Sequence, residues 1–464
     1  MLKIALIPID NRPICYDLAY DILSIDNNIK LFAPDLSILG GLKTKTSEEK
    51  LLSFIESLDN VDFFIISLDT LAYGGLVPSR TNEEDFLTIK ERIDKFFNII
   101  SKKTKKILAF SSIMRISNNN INEEEKPYWD RWGKKIFDWS YYLDKSEQEF
   151  SQNCVINKIP AEILEDYIKT RKRNFEINKY YLKLAKNGFF DTLILSKDDC
   201  SEFGLNVKEA RELSAIIKKE NINNAKIKTG ADEIPLSLIA RTLEGDLKIN
   251  PVFINPESKN LISKYEDISI LNCVLGQIEL SGCKVDNKNP NLNLIVNNFK
   301  NSQGDLVLGD VVNYNNNKTA FLKPYFIADI NNANGADCGF VDNLLKNDLD
   351  GFFGYCAYNT SANTLGCAIL VAKVKFFALK KGTYNDQAFK KVQFIRLLDD
   401  WVYQALYREK VRNNAPQFLQ KLEEIEPLLN SKAIIISHYL NYYPKQIKYS
   451  LPWDRSFEIR IELS

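Results

Sequence analysis

Acidic residues follow directly after several short apolar runs of this chain. They are Asp10, Asp69, Asp198, Asp199, Asp232 and Glu233. Ligands of open parallel sheets and of (β/α)8 barrels bind at the carboxyl ends of the strands, so acids in these positions should meet at one rim. The sequence therefore predicts a single acidic pocket suited to binding the hydroxyl groups of a ligand.

Two adjacent acid pairs in this set suggest glycoside chemistry. In glycoside hydrolysis two carboxyl groups divide the work, and their surroundings separate their pKa values. Asp232 could orient a substrate acetamido group while Glu233 protonates the leaving oxygen. The Gly-Ala-Asp-Glu string ending at Glu233 resembles the Gly-x-Asp-Glu of β-N-acetylhexosaminidases. Asp198-Asp199 is the alternative catalytic pair, and it resembles the Asp-Asp of O-GlcNAcase-type enzymes.

Histidine is almost absent, which limits the chemistry. His438 is the only one in the chain. A multi-histidine zinc site is therefore excluded, and a Ser-His-Asp mechanism would depend entirely on this residue. Acid–base chemistry must rely mainly on carboxylates, Tyr or Lys. No cofactor is predicted, although an all-oxygen Mg²⁺ or Mn²⁺ site on the same acids stays open.

Other polar side chains at predicted strand ends are candidates for binding the substrate. Asn, Asp and Tyr suit sugar hydroxyls, and an Arg fork suits a hydroxyl-rich or anionic ligand. Helix capping and Asx turns are the alternative explanation for many of them. The candidates are Asp10, Asn11, Arg12, Asp69, Tyr73, Arg80, Arg115, Asp329, Asn334, Asp337, Tyr358, Asn359 and Asn363.

The elements that must position these residues alternate between short apolar runs and helical patterns. Such alternation is typical of parallel βαβ units and predicts an α/β fold. Two architectures fit: a (β/α)8 TIM-barrel-like core with additional α/β and helical C-terminal parts, or two Rossmann-like domains. Strands are predicted at 3–9, 30–33, 62–68, 106–111, 191–196, 226–229, 251–254, 293–297, 325–330 and 352–357.

Three regions follow from this pattern. Residues 1–247 form an N-terminal α/β, barrel-like region with the acid-bearing strand ends, and residues 248–375 form a second α/β region with Asn-rich motifs. Residues 376–464 are predicted to be mainly helical, with a final strand at 456–462.

The composition limits the binding partners and the cellular compartment that the sequence predicts. The 464 residues include 61 Lys and Arg against 61 Asp and Glu, so no net charge favours nucleic acid or an anionic membrane. The 8 Cys are scattered without a CxxC motif, and neither a signal peptide nor an apolar run of about 20 residues is evident. The sequence predicts a cytoplasmic protein with reduced thiols and a small-molecule or oligosaccharide substrate; it leaves the oligomeric state open.

Seven motifs, taken in order, resemble a bacterial family known as domain of unknown function 4127. The resemblance runs from about residue 4 to beyond residue 370, and Tyr358 stands where that family commonly has Trp. It implies a shared site but no particular activity. The motifs are IPIDNRP, LGGLKT, SLDTLAYGGLVPSR, SKDDCSEFG, GADEIPLSLIAR, NNANGAD and YNTSANTLG.

These residues favour a carbohydrate-active enzyme, and specifically a glycoside hydrolase with an N-acetylhexosaminidase-like, substrate-assisted mechanism. One alternative is a Mg²⁺- or Mn²⁺-dependent hydrolase or transferase that uses the same acids as metal ligands. The other is a non-catalytic protein that binds a sugar or a nucleotide sugar.

Overall fold

The computed structural model describes residues 1–104, 106–145, 159–198, 200–313 and 321–464. Its first half alternates strands and helices, as the apolar runs predict. The elements are β1 Leu2–Ile7, α1 Asp17–Leu23, β2 Ile29–Phe32, α2 Glu48–Ser57, β3 Phe63–Ser67, α3 Leu68–Tyr73, α4 Leu76–Thr81, α5 Phe86–Ile100, β4 Ile107–Ile113, α6 Trp129–Lys145, α7 Ala161–Lys186, β5 Thr192–Lys197, α8 Leu205–Lys219, β6 Ala225–Thr229 and α9 Ile234–Thr242.

The second half begins at Lys248, where the sequence places the start of the second region. It continues the alternation and then becomes helical. The elements are β7 Lys248–Phe253, α10 Ile270–Leu280, β8 Lys284–Val285, β9 Leu292–Asn297, β10 Gly304–Asp305, β11 Tyr325–Asp329, β12 Asn332–Ala333, α11 Cys338–Leu344, β13 Phe352–Cys356, α12 Ser361–Lys381, α13 Asp386–Arg396, a π-helix Leu397–Tyr407, α14 Arg408–Arg412, α15 Phe418–Leu440, β14 Ile447–Ser450 and β15 Arg460–Leu463.

The larger strands form two parallel sheets. The first has the order β2-β1-β3-β4-β5-β6, and the second has the order β8-β7-β9-β11-β13. In each sheet the order reverses beside the first strand, between β1 and β3 and between β7 and β9. Such switch points leave a crevice at the carboxyl ends of the strands, where ligands of open α/β sheets bind.

The predicted α/β fold with parallel sheets is confirmed, whereas the TIM-barrel-like core is not. Within the described ranges β2 and β6 are the edges of the first sheet, and no pairing joins them into a closed barrel. β7, which would extend a barrel, pairs instead with β8 and β9. The acid-bearing strand ends therefore belong to a six-stranded parallel sheet.

Successive side chains of the first sheet point to opposite faces, and both faces are buried under other parts of the chain, as expected for parallel strands. Leu6, Ile65 and Phe110 belong to the core that continues through α9 and α12 into the second sheet. Ile7 and Phe64 belong to a separate core formed with α2, α5, α7 and α8. Helices α9 and α12 pack on each other, α9 against β3 and β4 and α12 against β11 and β13, so they join the two sheets.

Helix α12 is long and apolar enough to cross a membrane by length and composition alone. However, 83% of its most apolar window is buried inside the fold, where it contacts α9, α10 and β13. These contacts identify it as a core helix that joins the sheets.

The chain ends in an antiparallel pair of β14 and β15. The predicted final strand is thus present, but it begins at Arg460. Before it, residues 451–459 return to the carboxyl edge of the first sheet, where Arg460 binds the carboxylate of Asp17 and the carbonyl of Asn11. This return brings C-terminal side chains next to the first strand end.

Cysteine pairing is absent from the part of the chain that the structure describes. Seven Cys are free thiols there, and six of these are buried. Cys154 lies outside the described residues.

Candidate functional site

A cavity of about 290 Å³ lies where the carboxyl ends of both sheets meet. Segments after β1, β4, β5 and β6 form one wall, segments after β7, β9, β11 and β13 form another, and the C-terminal helices and return segment supply the rest. We call this space the interdomain cavity. Its polar and aromatic lining includes Asp10, Arg12, Arg115, Asp198, Asp232, Tyr265, Asn334, Asn359, Arg408, Trp453, Arg455 and Phe457.

Arg12 joins three carboxylates beside this cavity. Its Nη2 lies 2.9 Å from Asp10 Oδ2 and 2.7 Å from Asp232 Oδ1. Its Nη1 donates to Asp232 Oδ2 and to Glu458 Oε1, both at 3.2 Å. Burial alone would lower the pKa of Arg12, but Asp10 and Asp232 outweigh it and raise this pKa well above its ordinary value. The guanidinium is thus the permanent cation that permits three acids to be buried together.

Glu458 and Tyr358 complete this group behind the cavity wall. The Tyr358 hydroxyl donates to Glu458 Oε1 at 2.9 Å and lies 3.4 Å from Asp232 Oδ2. Burial raises the pKa of Glu458 to about 7, against the opposing effect of Arg12. Glu458 therefore keeps its proton to a higher pH than an exposed glutamate does.

An unusual backbone conformation presents Trp453 to the cavity. Its φ of 60° is in the left-handed region, which is rare for a bulky residue. The indole Nε1 donates to Asn11 Oδ1 at 2.7 Å. The guanidinium carbons of Arg12 and Arg455 lie 5.2 Å and 4.9 Å from the ring centroid. These contacts hold an aromatic surface beside the acids.

A second charged group is centred on Glu124. Its Oε2 lies 2.6 Å from Arg115 Nη2 and 3.1 Å from Arg80 Nη2, and its Oε1 lies 2.6 Å from Arg455 Nη1. Burial would raise the pKa of Glu124, but the three guanidinium groups hold it well below its usual range. Arg115 also lies 3.5 Å from Asp198, so this group reaches the second candidate acid pair. Arg80 is buried, so it binds Glu124 without lining the cavity.

Glu233 is buried away from the interdomain cavity. Its Oε2 accepts from the backbone N–H of Ala231 at 2.9 Å, and its Oε1 accepts from Gln277 Nε2 at 2.6 Å. A Cβ at Gly366 of α12 would overlap the Glu233 side chain, so this helix seals it. The expected role of Glu233 as the acid that reaches a leaving oxygen does not agree with this position.

Asp69 and Tyr73 also lie off the cavity wall. Asp69 accepts from the backbone N–H of Ser112 at 2.8 Å, and burial raises its pKa to about 7. The ring of Tyr73 packs under the guanidinium of Arg173, whose carbon is 5.2 Å from the ring centroid. Both residues therefore support the segments after β3 from behind, instead of contacting a ligand.

The Asn-rich motifs divide between the wall and the interior. Asn334 and Asn359 line the cavity with positive φ values of 68° and 52°, and the Asn334 N–H donates to the Asn359 carbonyl. Asp329 accepts from Tyr355 and from the backbone of Asp337, which itself caps α11. Asn363 is buried in the first turn of α12. Helix capping explains Asp337, and buried hydrogen bonds from Tyr355 and the Asp337 backbone explain Asp329, better than substrate binding does.

The predicted site residues thus fall into three groups. Asp10, Arg12, Arg115, Asp198, Asp232, Asn334 and Asn359 line one cavity. Those that are buried or placed behind its wall are Asn11, Asp69, Tyr73, Arg80, Glu233, Asp329, Asp337, Tyr358 and Asn363. Asp199 lies outside the described residues.

Sequence reasoning missed the C-terminal contribution. Trp453, Arg455, Phe457 and Glu458 follow no apolar strand, so the strand-end rule cannot identify them. Trp453 and Arg455 lie in a segment between two short strands. Only the aromatic and basic character of these two side chains could have marked them as candidates for a binding site.

The acids at this site do not form a metal-binding group within the described residues, where no cluster of three or more His, Cys, Asp or Glu has metal-ligand geometry. Arg12 occupies the centre of the three carboxylates instead. As arranged, Asp10, Asp232 and Glu458 therefore surround a guanidinium.

The pKa values of two buried glutamates predict how the stability of the protein depends on pH. Burial raises the pKa of both Glu233 and Glu266 from 4.5 to about 8. The folded state therefore binds these protons more tightly than the unfolded state. We expect the free energy of unfolding to fall as pH rises from about 4.5 to 8, by up to about 1.4 kcal/mol per pH unit and group.

Urea unfolding at pH 5, 6.5 and 8 measures this slope. Glu233→Gln should flatten the profile in part, because the neutral amide removes one of the linked protons, whereas Glu91→Gln on the exposed face of α5 should leave it unchanged. A stability that rises from pH 5 to 8 would contradict the expected linkage.

Comparison with known proteins agrees with the motif resemblance. No curated protein and no solved structure matches the chain. One family model, described as "Protein of unknown function (DUF4127)", matches residues 4–462. This match spans both sheets, the interdomain cavity and the C-terminal return segment. The chain therefore belongs to the DUF4127 family.

Proposed function

We propose that this protein is a carbohydrate-active enzyme that hydrolyses glycosides in the interdomain cavity. The observation that carries the proposal is the composition of the cavity lining, where carboxylates, guanidinium forks, Asn amides and an indole face a single space. Paired hydrogen bonds from such groups suit sugar hydroxyls, and an aromatic face suits the apolar side of a sugar ring. The position at the carboxyl ends of two parallel sheets supports a binding site there.

The cavity offers two carboxyl groups for the chemistry. We assign Asp232 the part of nucleophile or base, because two guanidinium N–H groups bind it as a carboxylate. We assign Asp198, at the end of the neighbouring strand, the part of the partner acid. Glu458 is a positioning residue in this proposal, since it contacts Asp232 through Arg12 and Tyr358. Hydrolysis then needs no histidine, in keeping with the composition.

A screen of aryl N-acetylhexosaminides and aryl hexosides tests the proposal. We expect release of the phenol from at least one member, and Asp198→Asn should slow natural glycosides more than activated aryl glycosides, because a good leaving group needs little protonation. Absence of hydrolysis across both series, together with Mn²⁺ binding that depends on Asp10 and Asp232, would instead support the metal-dependent alternative. Sugar binding without any hydrolysis would support the non-catalytic one.

The substitution Glu233→Gln distinguishes this assignment from the substrate-assisted one. Because Glu233 is sealed beneath α12, we expect the ratio of turnover on natural and activated glycosides to stay within about twofold of the unchanged protein. A direct acid would instead lose about 10²–10⁴-fold on the natural glycoside alone. Turnover of both substrate types, measured on the same preparation, decides between the two.

The remaining assignments are part of the same proposal. Two open sheets favour two Rossmann-like domains over a barrel-like core, with the C-terminal helices completing the cavity. We propose a cytoplasmic enzyme with a small-molecule or oligosaccharide substrate, without a nucleic-acid or membrane partner. No cofactor is included.

A further inference from the structure

Arg408 is a buried cation on the cavity wall. It is the first residue of α14, directly after the π-helix, and only 8% of it is exposed. Its guanidinium carbon lies 4.8 Å from the centroid of the Phe457 ring, which also lines the cavity. The side chain is therefore held at the site by an aromatic contact.

Unlike its neighbours, Arg408 has no carboxylate partner among the residues that the structure describes. Arg12 contacts Asp10 and Asp232, and Arg115 and Arg455 share Glu124. The hydrogen bond of Arg408 goes from Nη1 to the neutral Gln404 Oε1 at 3.1 Å, and its Nε has no partner in the described ranges.

The acids on the same helical segment pair with another cation. Asp399 lies 2.7 Å from Arg396 Nη2 and accepts from the amide of Gln404, and Asp400 lies 3.0 Å from Arg396 Nη1. Asp399 acts on Arg408 electrostatically, but among the described residues it forms no ion pair with it. Burial lowers the pKa of Arg408, as expected for a guanidinium that loses water without gaining a counter-ion.

A buried charge without a partner is costly, and proteins rarely retain one unless something binds it. Asn334, Asn359 and Phe457 line the same cavity as Arg408, and the carboxylate of Asp305 accepts from Asn334 Nδ2 at 3.0 Å. A negative group of a ligand at Arg408 would supply the counter-charge that this guanidinium lacks. Acids that line the cavity pair with Arg12, Arg115 and Arg455.

We propose that Arg408 binds an anionic group of the substrate, so that the substrate is an acidic sugar bearing a carboxylate or a phosphate ester. This inference rests on the proposed function, since it names the class of glycoside that the cavity accepts. The neutral part of the sugar would lie toward Asp232 and Trp453. Arg suits this task because its planar fork matches the oxygens of either anion.

Calorimetric titration of the full chain with glucuronic acid, glucose 6-phosphate and glucose at one ionic strength tests the inference. We expect at least one anionic sugar to bind about 10- to 100-fold more tightly than glucose, the effect of a charge-assisted hydrogen bond. Binding of glucuronic acid alone assigns the carboxylate, and binding of glucose 6-phosphate alone assigns the phosphate.

Three variants separate anion binding from a structural role. Arg408→Gln should abolish the preference for the anionic sugar and leave glucose binding unchanged, while Arg408→Lys should keep part of it. Lys410→Gln removes one exposed positive charge from the same helix and should keep the whole preference. Without ligand, Arg408→Gln should melt no lower than the unchanged protein, because it removes an unpaired buried charge.

Equal affinity for charged and neutral sugars, no binding of either anionic sugar, or an Arg408→Gln variant that keeps the preference would overturn the inference. So would a large drop in the melting temperature of Arg408→Gln, which would identify a structural role. Anion preference without hydrolysis of any glycoside would leave the inference standing and remove the proposed function. Hydrolysis of neutral glycosides without anion preference would do the reverse.

Discussion

Replacing Arg12 by methionine should destabilise the protein by about 3–5 kcal/mol, the usual cost of removing one partner from a buried ion group. The substitution leaves Asp10, Asp232 and Glu458 buried together without a cation. Methionine keeps much of the side-chain length, so the loss reports on charge and hydrogen bonding more than on volume. We expect this to be the largest effect of any single substitution at the site.

Urea unfolding of Arg12→Met measures this effect. The matched control is Arg241→Met, which removes an exposed guanidinium that donates to the backbone carbonyl of Glu279, and which should cost at most about 1 kcal/mol. The difference between Arg12→Met and the unchanged protein should shrink as pH falls through about 7, because protonation of Glu458 removes one of the negative charges around position 12. Equal losses for the two Arg variants would show that Arg12 is not the cation that holds these acids.

Replacing Asp232 by asparagine should reduce glycoside turnover by about 10²–10⁴-fold, the range expected for loss of a positioned catalytic group. Asparagine keeps the shape of the side chain and one oxygen that can accept from Arg12. Two carboxylates would still face the guanidinium, so the fold should persist. The substitution therefore tests chemistry separately from stability.

Steady-state turnover on the best aryl glycoside, together with a thermal melt, measures this prediction. Asp246→Asn is the matched control, since it removes an exposed acid that pairs with Lys284, and it should leave turnover unchanged. Asp232→Asn with full turnover and an unchanged melt would exclude this residue from the mechanism. Loss of turnover with a collapsed melt would mean that Asp232 serves the fold, and the catalytic assignment would fail.

Local pattern explains why the strand ends were predictable. A buried parallel strand must be an apolar run, and its end must be polar where the chain leaves the core, so β1, β5 and β6 could be located within one or two residues. The same rule identified Asp10, Asp198 and Asp232, which do line the cavity. The family membership was likewise visible in the ordered motifs.

Strand pairing was not determined by the sequence alone. An apolar run has the same appearance in an open sheet and in a barrel, because its period describes its own two faces and not its neighbours. The pairing of β7 with β8 and β9, and not with β6, appears only in the folded chain.

The sequence by itself determined the α/β class, the presence of a single histidine and the strand ends that carry acids. Only the tertiary structure decided which acids reach the cavity: Glu233, next to Asp232, is sealed because α12 approaches its side chain at Gly366. Likewise only the folded chain brings Glu458 to Arg12 across 446 positions. Burial and charge pairing arise from contacts between distant segments, and no local pattern encodes them.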